Sequence, residues 1–395
     1  MTLIEQLGAL APEMCAIRQD LHAHPETAFE EIRTSALIAQ KLRELGLSVA
    51  TGVGKTGVIG TLKGGAANRS IGLRADMDAL NIEEATGLPY RSKRPGKMHA
   101  CGHDGHMSML LGAAKYLAHN NGFDGTIHFI FQPAEENEGG CKAMLEDGLL
   151  SRFPMEAVFG LHNIPGIDVG HFASIPGPMM ASFDVFEIEV EGRAGHAAMP
   201  HLSADPVLAA SALVVALQSI VSRTLDPLEP AVISVTQLHS GNEWNVIPQK
   251  ATLRGTVRAF SGAAQDLIEA SIRRMSDSIA SSHRCKASVR YERRYPPTVN
   301  NSSATATAHT ALSALVDEQH IRRDVKPSMA ADDFGFFSER VASCYAWVGS
   351  GLGEAAGALH SPTYDFNDAI LPIGAAYWVQ LARTALAMPD SRHLT

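Results

Sequence analysis

The strands of this chain are written in two patterns, and the change falls near residue 182. Before it, short and largely apolar runs alternate with helical stretches. The runs are Val58-Ile-Gly-Thr-Leu, Ile71-Gly-Leu-Arg, Thr126-Ile-His-Phe-Ile-Phe and Ala157-Val-Phe-Gly-Leu, with a helical pattern over 107–117. A strand covered on both faces needs no polar alternation, so this order predicts a mainly parallel sheet flanked by helices. The first forty-odd residues are also helical in period, with Leu37, Ile38, Leu42 and Leu45 ahead of a Gly46 stop.

After the change, Phe186, Ile188 and Val190 alternate with Glu187, Glu189 and Glu191, the pattern of a strand with one wet face. A helix over 205–221, strands over 231–238 and 251–260, a helix over 264–279 and a strand over 287–291 follow. That β-α-β-β-α-β order is the split βαβ pattern of ferredoxin-like domains. Tyr295-Pro-Pro then returns the chain to helix and strand. The expected fold class is therefore α/β, with a larger domain of residues 1–181 plus 296–395. A ferredoxin-like α+β domain, 182–295, is inserted into it. A length of 395 residues is enough for two cores.

Composition narrows the function. The chain is 45% hydrophobic and 19% charged, as ordinary globular proteins are. A formal net charge of −9, with no basic run, argues against a nucleic-acid partner. No run approaches the eighteen or so apolar residues of a membrane-spanning helix, and no cationic and apolar leader opens the chain. Five scattered cysteines do not make a disulfide framework, so a reduced, cytoplasmic setting is expected.

The chemistry concentrates in His99-Ala-Cys101-Gly-His103-Asp104-Gly-His106 and in Gln132-Pro-Ala-Glu135-Glu136-Asn-Glu138. In an open α/β sheet, ligands bind beyond the carboxyl ends of the strands. Asp76 and Asp78 follow one predicted strand, Glu135 and Glu136 follow another, and His162 ends a third. Cys101 and His103, two apart in an extended segment, point the same way. His360 lies in a late loop. Imidazole, thiolate and carboxylate together suit a divalent metal, and the reading is metal-assisted hydrolysis. Of the adjacent Glu135 and Glu136, one can bind metal while the other takes a proton from an activated water. Cys101 alone also admits two other roles, an inert buried thiol or a nucleophile paired with His103, but no oxyanion-hole signature accompanies the latter. His99 and His106 read as supporting residues, Asp104 as a carboxylate orienting a ligand imidazole, and His22 and His24 as orienting groups near the site.

In this order, these residues resemble the M20 family of metallopeptidases. The likeness is to the amidohydrolase branch of hippurate hydrolases, N-acyl-amino-acid deacylases and plant auxin-conjugate hydrolases. It is carried by His22-Ala-His-Pro-Glu, Leu73-Arg-Ala-Asp-Met-Asp-Ala-Leu, the 99–106 cluster, Phe131-Gln-Pro-Ala-Glu-Glu, Gly160-Leu-His, Gly192-Arg-Ala-Gly-His, Asn245-Val-Ile-Pro, Asp332-Asp-Phe and His360-Ser-Pro. The resemblance implies a zinc-aminopeptidase-like catalytic domain with two divalent ions per subunit (zinc, manganese, nickel or cobalt). Their ligands would be Cys101, His103, Glu136, His162 and His360, with Glu135 as general base. It also implies that the inserted domain is a lid through which a homodimer forms. His196 would polarise the scissile carbonyl, with nearby His201 as the alternative. Asn245 and Arg258 would hold the carboxylate of a small N-acyl-amino acid substrate. Where other branches carry a His-x-Asp ligand motif, this chain has Arg74-Ala-Asp76. His103 would then supply the imidazole and leave Asp76 a supporting role. Asn81 stands where relatives often have proline. The same machinery would serve a dipeptidase, a carboxypeptidase or an N-acetyl-diaminopimelate deacetylase.

Overall fold

Met107 to Leu117 lie within a helix, His103–His119, of which thirteen of seventeen residues are buried. A helix apolar on all sides belongs inside a large core, and this one is packed by helices Ala11–Ala23 and Leu371–Ala385. The computed structural model of the chain describes residues 1–136, 138–351 and 358–388. Beside the central helix runs an eight-stranded sheet. Its order is Ser48–Val53, Gly57–Gly64, Gly125–Gln132, Ser70–Asp76, Ala157–Pro165, Ala342–Gly351, Phe172–Ala173 and Ile321–Arg322.

The four strands from Gly125–Gln132 to Ala342–Gly351 in that order are mutually parallel. Their side chains are buried nearly throughout, Leu73, Phe129, Phe131 and Phe159 among them. Each such side chain contributes about 1.5–3 kcal/mol by leaving water, which is why these strands carry little polar alternation. Because they run in one direction, their carboxyl ends lie along one edge, with Asp76 opposite Gln132.

Contact density divides the described chain into two units. The first holds Met1–Met179, Val299–Lys326 and the described residues from Phe336 onward; the second holds Met180–Thr298 and Pro327–Gly335. The strip Pro327–Gly335 differs from the boundaries expected above, which left it in the larger domain. Backbone hydrogen bonds tie it to the second unit: the Ala181 N–H donates to the Ser328 and Ala330 carbonyls at 3.0 Å each. The Thr298 hydroxyl also donates to the Asp332 carbonyl.

The second unit has four antiparallel strands in the order Ala231–Ser240, Lys250–Ala259, Phe183–Glu191 and Lys286–Tyr295. In chain order this is 2-3-1-4, the ferredoxin-like arrangement that the split βαβ pattern calls for. Phe186, Ile188 and Val190 are buried, as their alternation requires, and form one core with Leu213, Leu217, Leu253, Ile268 and Ile272. Helix Pro206–Ser219 starts on an Asp205 cap that accepts the Val207 and Leu208 N–H groups. By length and apolarity the run Pro206–Thr224 could cross a membrane. It lies on the sheet of the second unit instead, burying Ala209, Ala210, Leu213 and Leu217.

Candidate metal centre

Between Cys101 and the central helix stands Gly102, with φ +97°. A side chain there would be strained by its backbone, and its Cβ would come within 2.3 Å of Asn163 Oδ1. Glycine thus lets the chain turn from Cys101 straight into His103, the first residue of the helix. Both side chains are buried.

The strand ends bring the other donors to them. Cys101 Sγ lies 3.4 Å from His162 Nε2. Donor atoms of Cys101, Glu136 and His360 lie within 4.8 Å of one another, as do those of His103, Glu135 and Glu136. His360 Nε2 stands 3.2 Å from Glu136 Oε1.

Two tautomers follow from neighbouring carbonyls. The Asn163 carbonyl is 2.6 Å from His162 Nδ1, and the Asp78 carbonyl is 2.9 Å from His103 Nδ1. A carbonyl only accepts, so both Nδ1 atoms carry hydrogen in the neutral rings and leave Nε2 with a lone pair. His103 Nε2 is buried and makes no hydrogen bond among the described residues. A thiol sulfur, imidazole nitrogens with inward lone pairs and a carboxylate are the donor set of a borderline-soft divalent ion, with orienting carbonyls behind the rings.

The electrostatics are those of a mostly buried group of imidazoles and carboxylates, with His360 half-exposed at its margin. Burial and the neighbouring Glu136 raise the Cys101 thiol. Hydrogen bonding to Cys101 and Glu136 lifts His360 to about 10. Burial pushes His162 well below the usual imidazole range. For His103 burial acts downward, but the Asp76 carboxylate overcomes it and the imidazole lies well above that range.

The Glu135–Glu136 turn is held by its backbone. Asp78 Oδ1 accepts the Glu135 N–H at 3.0 Å and Oδ2 accepts the Glu136 N–H at 2.9 Å. One residue earlier, Glu31 Oε1 accepts the Ala134 N–H at 2.9 Å. In the sequence Asp78 is marked only as a strand-end carboxylate, and no local pattern marks Glu31.

Asp76 sits as a support. Its Oδ1 accepts from His106 Nδ1 at 2.6 Å, its Oδ2 from Arg74 at 2.7 Å, and His103 Nε2 is 3.8 Å away. His106 in turn packs against His162 with ring centroids 4.5 Å apart. Asp104 corrects the expectation, because it does not face a ligand imidazole. It accepts from His22 Nδ1 at 2.9 Å, with Arg18 at 3.7 Å. Successive helical residues point about 100° apart, so Asp104 is turned away from the face that His103 presents.

Three of the expected substrate-handling residues lie in the second unit. His196 and Asn245 are neighbours there: His196 pairs with Val246 across a short two-stranded ladder, and the Asn245 carbonyl accepts the Ala197 N–H at 3.0 Å. The Ala198 N–H donates to His196 Nδ1 at 3.1 Å, which leaves the proton of the neutral ring on the other nitrogen, Nε2. His201 is exposed in the short helical turn Pro200–Leu202. Arg258 is half-buried on strand Lys250–Ala259, its guanidinium 4.2 Å from the centre of the Phe183 ring.

Residues 72–384 match Peptidase family M20/M25/M40. The chain is 44% identical to the hippurate hydrolase of Campylobacter jejuni over 97% of its own length and 99% of that protein. It is 38% identical to the N-acetyl-L-cysteine deacetylase of Bacillus subtilis, over 94% of this chain and 88% of that one. Among solved structures it resembles the YXEP protein of Bacillus subtilis, described as a dinuclear metal binding peptidase from the M20 family. The TM-score is 0.84 at 33% identity, covering 96% of this chain and 99% of that one. This chain belongs to peptidase family M20/M25/M40.

Proposed function

We propose that this protein is a metal-dependent amidohydrolase that cleaves N-acyl-amino acids, of the hippurate or N-acetyl-amino-acid kind, to a carboxylic acid and a free amino acid. The observation that carries this reading is the gathering of Cys101, Glu136 and His360 beside His103, His162 and the buried carboxylate of Glu135. The names of the relatives support it, since hippurate and N-acetylcysteine are both acyl groups joined to an amino acid by an amide.

In this reading Cys101, His103, Glu136, His162 and His360 hold two divalent ions, of zinc, manganese, nickel or cobalt. Bound there, such ions supply acidity to a water molecule and polarise a carbonyl. Glu135 accepts the proton of the attacking water as its oxygen joins the acyl carbon. It then delivers that proton to the amide nitrogen as the C–N bond breaks. His196, with its proton on Nε2, donates to the carbonyl oxygen as negative charge builds there. Asn245 and Arg258 receive the substrate carboxylate. Arg258 suits this role, because it makes no ion pair among the described residues and its planar fork fits a carboxylate. Asp76 steadies the site through His106.

The first structural unit is then the catalytic domain and the second the lid, and a homodimer forms through the lid. Support comes from strand Ala231–Ser240, an edge of the lid sheet with Val232 and Leu238 exposed. On helix Pro206–Ser219, Leu208 and Val215 are also exposed, at 56% and 74%. An open edge beside apolar side chains is a surface that proteins cover. All five cysteines are free, which favours the cytoplasm.

The test is metal analysis of the purified protein joined to a hydrolysis panel. Two divalent ions per subunit are expected, with turnover of hippurate or N-acetyl-amino acids that a chelator abolishes and added metal restores. Preference for dipeptides would move the reading to a peptidase, and chelator-resistant turnover would sink it.

A further inference from the structure

Ala134 stands immediately before the proposed base and has φ +52°, a left-handed conformation uncommon for alanine. Three successive N–H groups follow from that turn, those of Ala134, Glu135 and Glu136, and all three point at buried carboxylates. Successive N–H groups arranged around a left-handed residue form a concave anion-binding nest. Here the protein fills the nest with its own side chains: Asp78 takes two of the three groups and Glu31 the first.

Glu31 is fully buried and reaches the turn from 103 residues away. Its second oxygen accepts the Thr56 hydroxyl at 2.6 Å. Thr56 is fixed in turn, because its carbonyl accepts the Ser35 hydroxyl from helix Ile32–Glu44. The Ala134 carbonyl is also engaged, by the Gly140 N–H at 2.9 Å. Glu31 thus links the start of a helix, the residue entering strand Gly57–Gly64 and the turn that carries Glu135.

We infer that Glu31 is a positioning residue, whose bond to the Ala134 N–H holds the left-handed turn and so aims the Glu135 carboxylate. It touches neither substrate nor metal ligand in this role. The inference rests on the reading of Glu135 as the proton carrier. A misplacement of about 1 Å in a catalytic group costs about a hundredfold in rate, so a loose turn reads out in kcat. The metal ligand Glu136 keeps its own backbone bond to Asp78, so metal content and KM should change little.

The test compares Glu31→Met, Glu31→Gln and Glu31→Asp in the metal-loaded enzyme, with Glu135→Gln as the control for the reading beneath it. Methionine fills the space but accepts no bond, so kcat should fall about thirty- to a hundredfold, with KM within about twofold and metal content unchanged. Glutamine can accept the Ala134 N–H on its oxygen and donate its amide to Thr56, so it should restore kcat to within about threefold of the parent. Aspartate keeps the charge but falls short by one methylene, and should lose about tenfold even if the methionine variant does not fold. A readout independent of turnover is amide hydrogen exchange at residues 134–136, slow in the parent and in Glu31→Gln, fast in Glu31→Met. Parent-like kcat and exchange in Glu31→Met, or equal damage in the methionine and glutamine variants, would overturn the inference. If Glu135→Gln keeps full turnover, the underlying reading fails, whatever the Glu31 variants do.

Discussion

The carboxylate of Asp78 accepts the backbone N–H of Glu135 at 3.0 Å, and its other oxygen reaches the next N–H in the chain. A carboxylate is matched to this task because it only accepts. In Asp78→Asn, the amide NH2 must face one of two N–H donors in a buried site. An unsatisfied buried donor costs about 1–3 kcal/mol. The variant should remain folded with metal bound, and its kcat should fall about tenfold or more as the turn shifts. Steady-state kinetics on metal-matched samples check this, and an unchanged kcat would separate the Asp78 bonds from catalysis.

His128, on strand Gly125–Gln132, gives a pH prediction away from the metal centre. Burial lowers its imidazole to about 4. The unfolded chain takes up a proton at His128 near pH 6.5, but the folded chain does so only near 4. Stability linked to this group is therefore complete above about pH 6.5 and declines as pH falls toward 4, by about 3 kcal/mol in all. His128→Gln can keep a hydrogen bond to the Thr61 hydroxyl, now 3.0 Å from Nδ1, without titrating. Thermal unfolding at pH 7 and pH 4.5 should show a smaller acid loss for the variant than for the parent. Equal losses would mean that His128 is not a source of the acid sensitivity.

Val215 tests the proposed dimer surface of the second unit. A glutamate there adds charge to the exposed side of helix Pro206–Ser219 without entering the core formed by Leu213 and Leu217. Sedimentation should show a dimer for the parent and a monomer for Val215→Glu, with unfolding temperature nearly unchanged. A parent that sediments as a monomer, or a variant that stays dimeric, would contradict assembly through this face.

Much of the architecture was legible because burial imprints periodicity. Phe186, Ile188 and Val190 alternate because one face of their strand is wet. The strand Ser70–Asp76 is covered on both faces and does not alternate. Cys101, His103, Glu136, His162 and His360 stand out in the sequence as metal-binding residue types, but it is the family resemblance that joins them into one ligand set; the structure brings their donor atoms near one another. The hidden part lies in bonds from side chain to backbone. Glu31 and Asp78 act on N–H groups 103 and 57 residues away, and nothing in a local pattern marks a carboxylate whose partner is a distant peptide group. Asp104 was misread because adjacency to His103 in sequence is not adjacency in direction on a helix. The strip Pro327–Gly335 was placed in the larger domain because backbone bonds hold it to the second unit, and these leave no hydrophobic period.

The central claim is that metal holding and proton transfer fall to different members of an adjacent pair, Glu136 and Glu135. The most direct measurement is hippurate hydrolysis by Glu135→Ala, with bound metal determined on the same sample. The account predicts two divalent ions per subunit, as in the parent, and a kcat lower by about a thousandfold. Parent-like turnover, or loss of metal in step with activity, would contradict it.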